Sequence, residues 1–215
     1  MSCCSGKGCD EFFDGRVARR DARRYTRKGL DPNARRIVDL VRRRGVDGQT
    51  VLEVGGGIGA IQVELLQAGA ARTVNVELSP AYDPYAEELL RATSLEGRAD
   101  RRLLDFAEQS EQLGAADVVV LNRVVCCYPD YERLVGAAAD HARAQLLLTF
   151  PRGTWWIRLG IGTINALQRL RRQAFRVYAH APAAIVAVAT SRGLDVTTRE
   201  RGRLWELVAF ERSPR

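Results

Sequence analysis

The stretch Val51-Leu52-Glu53-Val54-Gly55-Gly56-Gly57-Ile58-Gly59 reads as a short apolar strand running directly into glycines, with a helix over residues 58–69 following at once. Glycines suit such a turn because a side chain would keep the backbone from lying against a ligand at the helix start. Dinucleotide enzymes use a similar turn, so the glycines alone do not choose the ligand.

Working outward, short apolar strands and helical segments alternate. Residues 73–78 (TVNVEL) form a strand, 83–92 a helix, and 101–106 (RRLLDF), 116–122 (ADVVVLN) and 144–150 (AQLLLTF) three more strands, with a helix over 131–142 before the last. These strands are too apolar to keep a wet face, which indicates a parallel sheet covered on both sides. LDVTTRER and RLWELVAFER then read as a hairpin turning near Gly202. On the other side, residues 11–28 and 31–45 read as helices, the second opened by Asp31-Pro32 and closed by Gly45. Residues 155–178 carry Ile157, Ile161, Ile164, Leu167, Leu170 and Ala174 at helical spacing. The expected fold is α/β: a single doubly wound, mostly parallel seven-stranded sheet with helices on both faces. An N-terminal helical lid (1–47), a cofactor-binding core (48–150), a helical substrate-side insertion (151–190) and a C-terminal antiparallel hairpin (191–215) would form one domain.

Composition is consistent with this. The chain has 215 residues, 46% hydrophobic and 27% charged, which fits one globular core and excludes a disordered or fibrous chain. No apolar run approaches the ~20 residues that cross a bilayer, and MSCCSGKGCDEFF lacks the basic start and apolar stretch of a secretory signal, so a cytoplasmic location is expected. The net charge of +7 is unevenly spread. Residues 1–48 hold 13 Lys/Arg against 7 Asp/Glu, residues 49–150 hold 8 against 15, and residues 151–181 hold 6 Arg and no acid. Basic flanks around an acidic centre are either solvated helix faces or surfaces for an anionic partner.

Three carboxylates narrow the ligand. Glu53 stands in the strand before the turn, where it would hold the ammonium of a methionine moiety and would repel a pyrophosphate. Glu77 closes the second strand, 22 residues after Gly55, where an acid can accept both ribose hydroxyls. Asp105 ends the third strand, placed for an adenine amino group, with Phe106 beside the ring and Asn122 at the end of the fourth. Glu53, Gly55, Gly56, Gly57, Gly59, Glu77, Asp105, Phe106 and Asn122 are therefore the expected S-adenosylmethionine site, and the segment 48–150 resembles the class I S-adenosylmethionine-dependent methyltransferase superfamily. Another nucleotide-binding α/β domain is the alternative.

Residues 121–129 (LNRVVCCYP) lack the Asn/Asp-Pro-Pro-aromatic run that nucleobase amino-methyltransferases generally carry, which argues against a nucleic-acid partner and for a small-molecule acceptor. A looser resemblance extends over most of the chain. Phe12-Phe13 with Tyr25 twelve residues on, then Thr149-Phe150-Pro151, a long helix, Phe175-Arg176 and His180, is similar to the magnesium-protoporphyrin O-methyltransferases. That resemblance implies a lid over the acceptor and methylation of a carboxylate oxygen. Cys127 stands where that family has a histidine, and Phe12 where it has a tyrosine, so an acidic or aromatic acceptor other than the family's own is expected. Arg123, Arg152 and Arg176 are candidates to hold a carboxylate, and Tyr25 and His180 to act as base or orienting donor. Each of these also has an ordinary structural reading.

The five cysteines fall into two groups, Cys3, Cys4 and Cys9, and Cys126 with Cys127. If the N-terminal segment covers the mouth as the resemblance implies, the five thiols would meet and could hold zinc or an iron–sulfur cluster. The plain alternative is that Cys126 and Cys127 are small buried apolar residues. Two other functions stay open at this point: a thiol-based metal- or redox-responsive binding protein, and an RNA-binding methyltransferase using the basic flanks.

Overall fold

The computed structural model describes residue 8 and residues 12–213. Seven strands lie in the order β3-β2-β1-β4-β5-β7-β6. They are β1 (Thr50–Val54), β2 (Arg72–Glu77), β3 (Ala99–Leu103), β4 (Ala116–Asn122), β5 (Ala142–Pro151), β6 (Leu194–Arg201) and β7 (Trp205–Arg212). Neighbours are parallel from β3 through to β5, and β7 is antiparallel to both β5 and β6. Order reverses between β1 and β4, which opens a crevice beyond their carboxyl ends where ligands bind in such sheets.

Eight α-helices stand among the described residues: α1 (Gly15–Lys28), α2 (Pro32–Arg44), α3 (Ala60–Gln67), α4 (Asp83–Thr93), α5 (Phe106–Gln109), α6 (Tyr131–His141), α7 (Trp155–Leu170) and α8 (Pro182–Ser191). Alternation along the strands sends side chains to two cores. Val51, Val118, Val120, Leu147 and Leu207 meet Ile37 and Val41 of α2 and Ile61, Leu65 and Leu66 of α3. Leu52, Val119, Leu121, Leu146 and Leu148 meet Leu134, Val135 and Ala138 of α6 and Ile185 and Ala189 of α8. The expected fold class holds in each of these respects: strand number, mostly parallel direction, helices on both faces and the C-terminal hairpin.

Boundaries differ in three places. The helix expected over 11–28 is interrupted: Asp14 is extended (ψ 179°) and its carboxylate accepts from the N–H groups of Arg16 and Val17, so α1 starts at Gly15. The strand expected over 101–106 ends at Leu103, because Asp105 leaves it to cap α5. The helical spacing over 155–178 continues past the true helix, which stops at Leu170. Arg172 then takes a left-handed conformation (φ 56°) and the chain turns back. Asn165 fixes the return, accepting from the Val177 N–H at 2.9 Å and donating to the Val177 carbonyl at 2.8 Å.

Candidate functional site

A cavity of about 430 Å³ lies at the carboxyl ends of β1, β2 and β4, lined by Glu53, Gly55, Gly56, Gly57, Glu77, Asp105, Phe106 and Asn122. Of the expected ligand-binding residues only Gly59 is not part of its wall; it is left-handed (φ 75°) and starts α3. Tyr25, Arg123 and Cys127 also reach the wall.

Two glycines are dictated by contact. Gly55 has φ 64°, and a Cβ there would stand 2.6 Å from a Val124 methyl. A Cβ on Gly56 would come within 2.6 Å of both the Glu53 carboxyl carbon and Asn75 Oδ1. The turn thus packs directly onto the carboxylate beneath it. Glu53 is almost fully buried and accepts from the Gln62 N–H at 3.0 Å. Burial pushes its pKa up to about 8, against the lowering effect of that hydrogen bond. Its cross-strand neighbour Asn75 is wholly buried, and neither polar atom of that side chain has a partner among the described residues. Asn75 lies under Gly56 and Gly59 rather than in the cavity wall, whereas the Glu53 carboxyl reaches the wall, where it suits a group with N–H donors.

Glu77 holds the turn from the next strand. One oxygen accepts from the Gly57 N–H at 2.8 Å, the other from Leu78 and Ser79 at 2.7 and 3.1 Å. Arg101, reaching across from β3, donates to the Gly57 carbonyl at 2.8 Å and pairs with Asp83 at 2.6 Å. Asp105, buried, accepts from the Ala107 N–H at 3.1 Å and from the Tyr128 hydroxyl. Thr149 donates to Asn122 at 2.7 Å and accepts from the Arg123 N–H at 2.9 Å. Sequence reasoning missed Asn75, Arg101 and the contact of Tyr128. Only the register of β2 beside β1 and β3 brings the first two beneath the turn.

The candidate acceptor-side residues separate. Arg123 is left-handed (φ 63°), pairs with Asp31 at 2.9 Å and lies 5.1 Å over the Trp205 ring. Arg152 donates to the Gly202 carbonyl, and Arg176 to the carbonyls of Gln173 and Phe175; neither is in the cavity wall. His180 also stands outside the wall, its Nε2 at 2.9 Å from the Tyr128 carbonyl and its ring against Tyr131 and Tyr178. Tyr25 donates to Glu64 at 3.1 Å, and burial holds its phenol well above the usual range. Arg20 and Arg24 of α1, which the sequence does not single out, do reach the wall.

Cys126 and Cys127 each donate to the Arg123 carbonyl at 3.5 Å, with their sulfurs 3.7 Å apart. The hydrogen bond with the Cys127 thiol outweighs burial and leaves Cys126 below its ordinary pKa. Cys3, Cys4 and Cys9 lie outside the described residues. Among the described residues no three His, Cys, Asp or Glu side chains gather as metal ligands; the expected five-thiol cluster includes residues outside them.

This cavity, glycine turn and strand order agree with a family match that covers most of the chain: the methyltransferase domain family matches residues 22–202. The chain belongs to that family. Solved structures of similar fold include the magnesium protoporphyrin IX methyltransferase of Synechocystis with bound SAH, at TM-score 0.75 and 19% identity over 95% of this chain and 98% of that one. The same enzyme with bound SAM gives a TM-score of 0.70. An O-methyltransferase family protein from Burkholderia thailandensis gives 0.67 and 21% identity over 84% of this chain and 56% of that one. No curated protein sequence matches. Within the methyltransferase domain, the match begins inside α1, so the helix bearing Arg20 and Arg24 partly precedes the family's common core.

Proposed function

We propose that the chain binds S-adenosylmethionine and transfers its methyl group to an oxygen of a small acidic or aromatic acceptor. The observation that carries this reading is the wall of one cavity, where Glu53, the glycine turn, Glu77 and Asp105 follow each other across β1, β2 and β3. Glu53 would receive the cofactor's ammonium, Glu77 its ribose hydroxyls, and Asp105 with Phe106 its adenine. The Glu53 carboxyl in the wall supports a cationic ligand group over a pyrophosphate. When bound, the cofactor supplies an electrophilic methyl on a sulfonium. The chain's part is then to hold the acceptor in line and exclude water.

An ionised carboxylate needs no base, and neither of the two expected bases serves the cavity: Tyr25 is held protonated, and His180 stands outside the wall. On the side of α1 the wall carries Arg24, and Arg20 paired with Asp21 at 3.3 Å, as cations an acid could engage. Oxygen methylation of an anionic acceptor is thereby favoured over that of an amine. The magnesium protoporphyrin methyltransferases of similar fold make a porphyrin dicarboxylate a reasonable first acceptor to try.

The test is calorimetric titration with S-adenosylmethionine and S-adenosylhomocysteine, followed by mass-spectrometric search for methyl transfer to carboxylic and phenolic acceptors. Saturable binding of both cofactors is expected, with methyl esters formed from acids. No binding of either would overturn the cofactor reading; binding with transfer only to amines would overturn the acceptor reading.

A further inference from the structure

Helix α7 is built inside out. Only Ile157 and Gln168 of its sixteen residues are buried. Trp155 is 77% exposed, Leu159 65% and Leu170 82%, with Trp156, Leu167 and Ile164 also open. At about 100° per residue, Trp155, Leu159 and Leu170 fall on one line along the helix with Trp156 and Leu167 beside it. The stripe therefore points away from the protein and lines no part of the cavity. A row of large apolar side chains in water marks a contact surface rather than a solvated face.

Charge says what covers it. Arg158 and Arg169 flank the stripe, Arg171 and Arg172 follow it, and residues 151–181 contain no acid at all. Two copies meeting stripe to stripe would bring these arginines together with no carboxylate of the segment to offset them. A nucleic acid would satisfy the arginines but leave Trp155, Leu159 and Leu170 in water. An anionic lipid surface meets both demands, taking the indole and leucine side chains at the headgroup boundary and the guanidinium groups at the phosphates.

A second element repeats the sign. One half of α1 presents Arg16, Arg19, Arg20, Arg23, Arg24, Arg27 and Lys28, which line a single groove, while Ala18, Ala22 and Tyr25 of the other half pack inward. The two elements are tied together, since Phe12 stacks on Phe175, ring centroids 4.3 Å apart, just before α1 and just after α7. At 16 residues α7 is about 24 Å long, and no helix of the described residues is long and apolar enough to cross a membrane. It would lie along the surface.

We infer that this protein docks reversibly on anionic lipid surfaces through the outward stripe of α7, with the basic face of α1 as the electrostatic partner. The inference does not depend on the acceptor. It is tested by co-sedimentation of the full chain with vesicles of phosphatidylcholine alone and of phosphatidylcholine mixed with phosphatidylglycerol, at low and high salt. Binding to the mixed vesicles is expected to be at least about tenfold tighter than to phosphatidylcholine, and to weaken with salt. The triple variant Trp155→Ala, Leu159→Ala, Leu170→Ala, all at exposed positions, should lose about tenfold or more in vesicle affinity while keeping its S-adenosylhomocysteine affinity and thermal midpoint. Arg16→Glu with Arg23→Glu should lose the preference for phosphatidylglycerol. Wild-type protein that stays in the supernatant, or a triple variant that sediments as well as wild type, would overturn the inference. So would concentration-dependent dimerisation abolished by the triple substitution without any vesicle binding, which would give the stripe to a second copy.

Discussion

The Tyr128 hydroxyl sits 3.0 Å from one carboxylate oxygen of Asp105 and 3.1 Å from the other, both residues being almost fully buried. Tyr128 comes from the loop after β4, Asp105 from the end of β3, so the contact fixes the far wall of the cavity from the neighbouring side. Hydrogen bonds to a charged group contribute about 1.5–3 kcal/mol. Tyr128→Phe should therefore lower unfolding free energy within that range. If Asp105 meets the adenine as proposed, S-adenosylhomocysteine affinity should fall about tenfold as well. Unchanged affinity with reduced stability would make Tyr128 a support of the loop alone.

If Glu53 meets the cofactor's ammonium as proposed, cofactor binding depends on pH. In the free protein burial holds its pKa up to about 8, so it carries a proton at neutral pH. A cofactor ammonium favours the carboxylate, so binding below pH 8 should expel that proton. Affinity should then rise with pH, by up to about tenfold per unit, and flatten above 8. Calorimetry at pH 7 in buffers of different ionisation enthalpy should report proton release, and Glu53→Gln should abolish both the release and the slope.

The same group has the opposite effect on folding. A carboxyl raised from its unfolded value of 4.5 to about 8 binds its proton more tightly in the folded state. Stability present at low pH is then lost as pH climbs through that window towards 8. Denaturant midpoints at pH 5.5 and 8.5 should differ less in Glu53→Gln than in wild type, with the variant the more stable of the two at the higher pH.

Gly56→Ala places a methyl carbon 2.6 Å from the Glu53 carboxyl and from Asn75 Oδ1, where neither side chain has room to retreat. Overpacking of this kind costs about 1–3 kcal/mol. The thermal midpoint should drop by a few degrees and cofactor binding should be lost, because the turn can relieve the clash only by moving into the cavity.

Tyr25→Phe removes a hydroxyl that donates to Glu64 at 3.1 Å and is held protonated by burial. If the acceptor is an ionised acid, turnover should stay within about threefold of wild type and the pH–rate profile should keep its shape. A loss above a hundredfold, or a lost alkaline limb, would give Tyr25 a proton-transfer role.

Strands β4 and β5 were legible in the sequence because both their faces are buried, leaving the apolar runs VVVL and LLL, and β1 because its apolar residues run straight into glycines; the equally apolar run at 183–189 is helix α8. That Gly55, Gly56, Gly57, Glu53, Glu77 and Asp105 would surround one cavity could be read from their places at or just beyond the ends of successive strands. Helix ends were harder. Asp31-Pro32 announces α2 with two signals, whereas Asp14 caps α1 with one, inside a charged segment that is helical by composition on either side. Long-range contacts left no local trace. Nothing near Arg101 says that it holds Gly57, and nothing near Arg152 or Arg176 says that backbone carbonyls engage them. The helical spacing of Ile157, Ile161, Ile164, Leu167 and Leu170 indicated a helix, but spacing does not tell that Ile157 turns inward while Ile164, Leu167 and Leu170 face solvent.

The Arg123 corner has a consequence for the newborn chain. Its guanidinium leans on Asp31, 92 positions earlier, and on Trp205, the first residue of the last strand. Contacts so distant along the chain close late in folding. A chain that ends before Trp205 lacks both this corner of the pocket rim and the strand that joins β5 to β6.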